Sequence, residues 1–427
     1  MSIVTETTRK VKSLFSSERL DSLAKETGLI KRKKKIVAKD FLSHHLCLSL
    51  SKESSIADLA EEFLDSSNID VSKQAIHKKY TAKATHFMHH VLEELIDCTA
   101  QAQISLTAIP FIQRVKTVDS SCLKLNEDLA ERFPGLRNQK AGIKLQTIMD
   151  VVTNSLYSLD IRSARENDQS YKQYLDYIES NDLSINDLGY FCVESFKVIQ
   201  EKKAFFLSRF LKTTTIYSGS KKVKFDLGQF LKKTKKSIVE KNILLGAPKL
   251  SCRIVAIRLP PEAYQQRLKN LAEKNRKNGH KQKSNPSVFD EWTVFVTNLP
   301  SSVIPETLLT LYSLRWQIEL FFKVIKTFLN LRDTTTHQNP HKALISIYSS
   351  LIAAVLLTQC SLAIVDEEIS LYKAAKTFVK HIKQFFNMIS TNKSPIRWLI
   401  KKITRTAIKE CTPKRPSTKQ VLGISYA

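Results

Sequence analysis

Glycine is scarce in this chain, nine residues in 427, and none of them falls into a GxGxxG or GxxxxGK[ST] loop. Backbone amides therefore offer no ready cradle for a nucleotide phosphate, and chemistry driven by ATP is not expected. The seven cysteines are scattered from Cys47 to Cys411 without a CxxC pair. That spacing fits neither a disulfide framework nor a zinc site, so a reducing cytoplasm is the expected setting. The opening residues, MSIVTETTRKVKSLF, lack the apolar core of a signal peptide. Acids are also in short supply: 41 against 67 Lys and Arg, a formal net charge of +26.

An excess of that size, with a pI of about 9.7, points to a polyanionic partner, nucleic acid before an anionic membrane. The basic residues recur at Lys31–Lys35, Lys221–Lys236, Arg267–Lys283 and Arg397–Lys419, interleaved with apolar residues that should fold. An apolar content of 42% is ample for burial, and the length exceeds one ordinary core, so two or three domains are expected. The uncharged run Ala343–Val365 is long enough to cross a bilayer. Its Ser, Tyr, Thr, Gln and Cys content and its basic flanks favour a buried helix, with no membrane partner.

Residues 1–100 read as helical. Ser55 is an N-cap with an acid three residues on, opening Ser55–Leu64; a polar turn, Asp65–Asp70, leads to a basic helix over Ser72–Met88. Two helices and a short turn fit a helix-turn-helix that reads DNA, or a plain helical hairpin. His86, His89 and His90 lack a thiolate or established carboxylate partner and read as surface histidines. Strands follow at Arg114–Asp119, Gly142–Val152 and Ser155–Ile161, then a helix over Asp168–Glu179, a strand at Leu183–Asp187, a turn allowed by Gly189, a helix over Tyr190–Lys203 and a strand at Ala204–Phe210. This order predicts an α/β fold, a ribonuclease H-like mixed sheet over 101–211 that resumes at 304–365. Between them, 212–303 reads as a strand-rich insertion with strands at Lys249–Leu259 and Trp292–Leu299, and 366–427 as a basic helical C-terminal region.

After Pro305, which suits a first turn, the stretch Leu311–Lys326 reads as one long helix. Tyr312, Arg315, Glu319, Lys323 and Lys326 fall on one stripe, while Leu314, Ile318, Phe322 and Ile325 form the buried face. The stripe alone is compatible with a solvated amphipathic face. Asp119 at the end of the first strand and Asp187 at the end of the fourth lie where reactive groups gather in such sheets. With Glu319 they make three carboxylates, enough to hold two Mg²⁺ ions for phosphoryl transfer. Asp150, Asp160 and Asp168 also lie near strand ends or turns, and residue chemistry does not choose among these acids.

The choice comes from a resemblance. Tyr312, Arg315, Glu319 and Lys326 match the signature Tyr, two residues, Arg, three residues, Glu, six residues, Lys of DDE transposases of the insertion sequence 4 family. DLGYF at Asp187 resembles the family's second block, with Leu188 where many relatives carry Arg, and Asp119 followed by two serines resembles the first. The resemblance covers most of residues 110–360. It implies a DNA transposase that cuts and pastes: Asp119, Asp187 and Glu319 as ligands of Mg²⁺ or Mn²⁺, two ions, and Tyr312, Arg315 and Lys326 on phosphates of the transposon end. It further implies double-stranded DNA as partner, both transposon ends and target, a homodimer in the DNA complex, and a hairpin intermediate for which Trp292 could hold an unstacked base. Packing within the insertion is the competing role for Trp292, and a helix pair with Glu319 the competing role for Lys323. A structure-specific endonuclease of the same fold, or a DNA-binding protein without catalysis, would share most of these residues.

Overall fold

The computed structural model describes residues 3–32, 35–50, 55–98, 104–106, 109–136, 139–218, 223–277, 287–331, 337–362 and 371–390, together with 398, 399, 401, 402, 405 and 424–426. Part of the basic run at Lys31–Lys35, the loop after Lys277, the end of the run Ala343–Val365 and most of the basic C-terminal region lie outside the described residues.

Six helices come first: α1 (Ile3–Leu14), α2 (Ser17–Glu26), α3 (Ala38–Ser49), α4 (Ile56–Ser67), α5 (Lys73–His77) and α6 (Ala82–Asp97). Ser55 caps α4 in a full capping box with Asp58, and Asn68 closes it in the left-handed conformation. The helix expected over Ser72–Met88 is two helices. The Thr81 side chain caps a new start by accepting from the Ala84 amide, and Tyr80, buried just before it, fixes the turn. Ile76 is the buried anchor of α5, which leaves Lys73, Gln74, His77 and Lys78 exposed. His89 and His90 both lie beside Glu93, and no His, Cys, Asp and Glu cluster among the described residues is arranged to hold a metal.

A short strand, β1 (Ile104–Leu106), precedes the main sheet and pairs with β11 (Ile424–Tyr426) at the far end of the chain. In the main sheet β2 (Arg114–Lys124), β3 (Gly142–Asp150) and β4 (Leu156–Ser163) form an antiparallel meander, turned between β3 and β4 by Asn154 at positive φ. Two further strands, β5 (Asp182–Asn186) and β6 (Phe205–Arg209), run parallel to β2, with α7 (Val193–Glu201) crossing between them. The order β4-β3-β2-β5-β6 then continues without a break into strands contributed by the insertion. These are β7 (Ile216–Ser218), β8 (Ile238–Leu245), β9 (Leu250–Arg258) and β10 (Trp292–Thr297), with α8 (Leu227–Lys233) and α9 (Pro261–Lys277) between them. Because β10 pairs antiparallel with β6, the sheet grows to nine strands and β6 has no free edge.

Asp119 does not end its strand, since β2 continues to Lys124 against β3 while its pairing with β5 covers only Arg114–Lys116. The two strands therefore part just before Asp119, and a gap opens beside it. Residues Asp168–Glu179 are not one helix but two 3₁₀ segments, Asp168–Ser170 and Gln173–Tyr177. Side-chain anchors override helical spacing there: Asp168 is held by Lys144, and Tyr171 is fully buried with its hydroxyl on Asp160.

Past the insertion come α10 (Pro305–Ser313), α11 (Trp316–Phe328), α12 (Pro340–Leu362) and α13 (Leu371–Ser390). The long helix expected through Leu311–Lys326 is thus broken in two at Leu314 and Arg315, where amides bond three residues back instead of four. The Ser313 hydroxyl donates to the Thr310 carbonyl at 2.6 Å, a back-bond that competes with the backbone ladder and bends helices. Alternate residues along the sheet feed opposite cores. Val115, Leu183, Ile185, Leu207 and Phe295 meet α10, whereas Val118, Phe206, Val294 and Trp292 meet the α7 side. A third core joins α1–α6 to α11–α13 and to the outer strands β3 and β4. Within it lies the apolar part of α12, long and apolar enough for a bilayer but 78% buried inside the protein.

Candidate active site

Asp119 stands on the α10–α11 face of β2, at the gap where β5 has ended. Asp187 is the first residue beyond β5 and opens a single 3₁₀ turn, Leu188–Tyr190, with the Tyr190 amide returning to its carbonyl at 3.0 Å. Gly189 takes no positive φ in this turn, and a Cβ there would meet Asp168 only at ordinary contact distance, so the turn does not require the glycine expected to allow it. Glu319 comes from the first turn of α11, across the gap.

Arg315, at the helix break, ties these parts together. Its Nη2 donates to Glu319 Oε1 at 2.6 Å, and its Nη1 lies 3.9 Å from Asp119 Oδ2. The Asp119 carboxyl is pushed up to about 6, first by burial; the Ser120 amide, donating at 2.8 Å, and Arg315 oppose this, while the charges of Asp187 and Glu319 add to it. Three carboxylates thus feel one another in a partly dry site with one guanidinium among them.

Tyr312, on α10, lies beside the same guanidinium, which is 5.8 Å from its ring centre, and burial raises its hydroxyl's pKa. Sequence reasoning passed over Arg209. It ends β6 opposite Asp187, stacks on Phe295 at 5.9 Å, and has its pKa lowered by burial despite the nearby Tyr312 and Asp187. The available signal was a charged residue in the apolar alternation FFLSRF, next to a strand end that already carried an acid. Lys326 lies further along α11, its Nζ 3.5 Å from the Cys122 carbonyl of β2. Tyr312, Arg315, Glu319, Asp119, Asp187 and Arg209 are therefore gathered at one end of the sheet, and Lys326 flanks them.

Trp292 is placed differently. It starts β10 on the opposite face of the sheet, 1% exposed, with Arg258 stacked 4.7 Å from its ring centre. Leu188 projects outward beside Asp187 and is 37% exposed.

Oxygen donors from three carboxylates suit a hard divalent cation. They do not yet close around one point: among the described residues no such cluster of three is formed, and Arg315 lies between Asp119 and Glu319. The guanidinium supplies there the positive charge that such a cation would supply. The donor set, the elevated Asp119 and the mutual repulsion of the acids fit a divalent metal site.

A five-strand order of this kind, with helices on both faces and acids on adjoining strands and on a following helix, is a ribonuclease H-like fold. Residues 110–356 match the family model described as Transposase DDE domain. The chain is 25% identical over 405 residues to the transposase for insertion sequence element IS231B of Bacillus thuringiensis subsp. berliner, covering 87% of this chain and 84% of that protein. It is 24% identical over 447 residues to the IS231E transposase of B. thuringiensis subsp. finitimus, covering 95% and 92%, and 25% identical over 409 residues to the IS1151 transposase of Clostridium perfringens, covering 89% and 85%. The chain belongs to the DDE transposases of the insertion sequence 4 type, enzymes that act on DNA with a divalent metal.

Proposed function

We propose that this transposase moves its element by cutting and pasting, with Asp119, Asp187 and Glu319 holding two Mg²⁺ ions. The observation that carries the reading is the meeting of these three acids around Arg315 at the gap between β2 and β5. Bound metal supplies Lewis acidity and a more acidic water at the scissile phosphate. The protein's own groups do the rest. Arg315 can exchange its carboxylate partners for phosphate oxygens, giving directional paired contacts, while Lys326 and Arg209 add charge on either side. Tyr312, packed at a tilt against Phe295, offers a hydroxyl beside Arg315. Two copies of the chain on paired ends form the working complex.

The reading is tested with an oligonucleotide carrying the element's own end, a target plasmid and Mg²⁺. Parent protein should nick the end and join it to the plasmid. Nicking without joining would favour a structure-specific endonuclease instead.

End recognition belongs, in this reading, to the exposed side of α5. Lys73→Gln with Lys78→Gln is expected to weaken end binding about tenfold in moderate salt and to flatten its salt dependence. Competition between end DNA and unrelated DNA checks it. An unchanged salt slope in the double variant would remove α5 from the interface.

For Trp292 the burial and the Arg258 stack support a packing role over base capture. Trp292→Phe should lower stability by about 1–2 kcal/mol through a weaker cation–π contact and lost volume, with hairpin formation unchanged. A variant of parental stability that nicks but forms no hairpin would restore the base-capture role.

A further inference from the structure

One polar cluster on the far side of the sheet takes no part in the chemistry above. A single oxygen, Asp168 Oδ1, accepts from Lys144 Nζ at 2.9 Å, Ser120 Oγ at 2.9 Å and Gln146 Nε2 at 3.3 Å. Lys144 and Gln146 are buried, and they share the far face with Ser120, in register with Val118 and Ile148. A network whose buried donors are all satisfied rigidifies the strands that supply them.

What it fixes can be traced along two branches. In the first, the Ser120 hydroxyl is bound to Asp168 while the Ser120 backbone amide donates to Asp119 Oδ1 at 2.8 Å. In the second, Gln146 gives its amide N–H to Asp168 and accepts the Tyr190 hydroxyl on its oxygen. Tyr190 closes the 3₁₀ turn that Asp187 opens. The same turn lies directly against the carboxylate: a Cβ on Gly189 would sit 3.6 Å from Asp168 Oδ2. Gln169, the next residue, donates to the Phe191 carbonyl at 3.2 Å.

We infer that Asp168 is a positioning residue that sets the distance and orientation between Asp119 and Asp187 from behind the sheet. Asp119 lies past the last β2–β5 pair and Asp187 just past the end of β5, so no backbone ladder between the two strands holds their spacing. The clamp replaces the missing ladder with side-chain bonds. Its purpose rests on the metal reading above, because only shared ions demand that the two carboxylates keep one separation.

The test is calorimetric titration of Mn²⁺ into full-length, DNA-free protein, with thermal unfolding in parallel. Parent should bind Mn²⁺, and Asp168→Ala should bind it about 10–100-fold more weakly, as loss of an outer partner of a metal ligand does. Asp168→Asn, which keeps an acceptor oxygen facing the three donors, should recover most of the affinity. Glu240→Ala is the control, since it breaks the Arg253 ion pair, 2.7 Å, between β8 and β9, with no bond to either acid or to the clamp. It should lose stability and keep parental Mn²⁺ affinity. Should Asp168→Ala fail to fold, Ser120→Ala and Tyr190→Phe cut one branch each and should each weaken Mn²⁺ severalfold. Parental affinity in both of these, or in a folded Asp168→Ala, overturns the clamp. A parent that binds no Mn²⁺ overturns the metal reading itself.

Discussion

Replacing Asp119 with Asn should slow DNA cleavage about a thousandfold and yet raise the unfolding temperature at pH 7.5. The first effect follows, in the reading proposed above, from removing one of the three carboxylates that would hold the metals. The second follows from burial. A carboxyl pushed up to about 6 in the folded protein, against about 3.8 when exposed, destabilises the fold wherever it must be charged. Between those values the folded state binds more protons than the unfolded chain, so stability falls as pH rises from about 4 through about 6. Asn carries no charge, and its advantage, on the order of 1–3 kcal/mol, should be present above pH 6 and vanish below pH 4. Thermal unfolding with EDTA at pH 7.5 and pH 4 reads this directly. An Asn variant that melts below the parent at pH 7.5 would show that the Asp119 charge is well compensated.

The second large effect concerns joining. Arg315→Gln and Lys326→Gln should each slow strand transfer by about a hundredfold, because an end displaced by about 1 Å no longer lies in line with the target phosphate. Arg315→Gln should be the more severe, since it also leaves Glu319 and Asp119 without their shared counter-charge. Lys197→Gln on α7 makes the comparison fair: it removes an exposed pair with Glu201, worth less than about 1 kcal/mol, on the other side of the sheet. Three variants that join ends equally fast would reduce the whole stripe to an ordinary helix surface.

Much of this site could be read before any fold was known, for identifiable reasons. Helical spacing places Tyr312, Arg315 and Glu319 together whether or not the helix is continuous, since a tightened turn at Leu314 shifts the stripe without scattering it. The alternation FFLSRF could be read as a strand, but the meaning of Arg209 required knowing that β6 lies beside β5 with Ser208 opposite Asn186. Asp168 was indistinguishable from Asp150 and Asp160 for the same reason. Its importance comes from Ser120 and Gln146, which are neighbours only once β2 and β3 pair. The break at Tyr80–Thr81 was the more legible miss, because Thr81 is a good N-cap and a helix run straight through it wastes that signal.

The core shared by α1–α6 and α11–α13 has a consequence for how such elements can diversify. Phe87, Val91 and Leu95 of α6 are buried in the same cluster as Ile318, Phe321 and Ile325 of the helix that bears Glu319. The N-terminal helices cannot then be exchanged for a relative's like a cassette. A chimera carrying a relative's first hundred residues should be insoluble unless the relative's last helices travel with it. Change in this half of the protein is left to surface residues, such as those on the exposed side of α5, while the interior stays tied to the helix that bears Glu319.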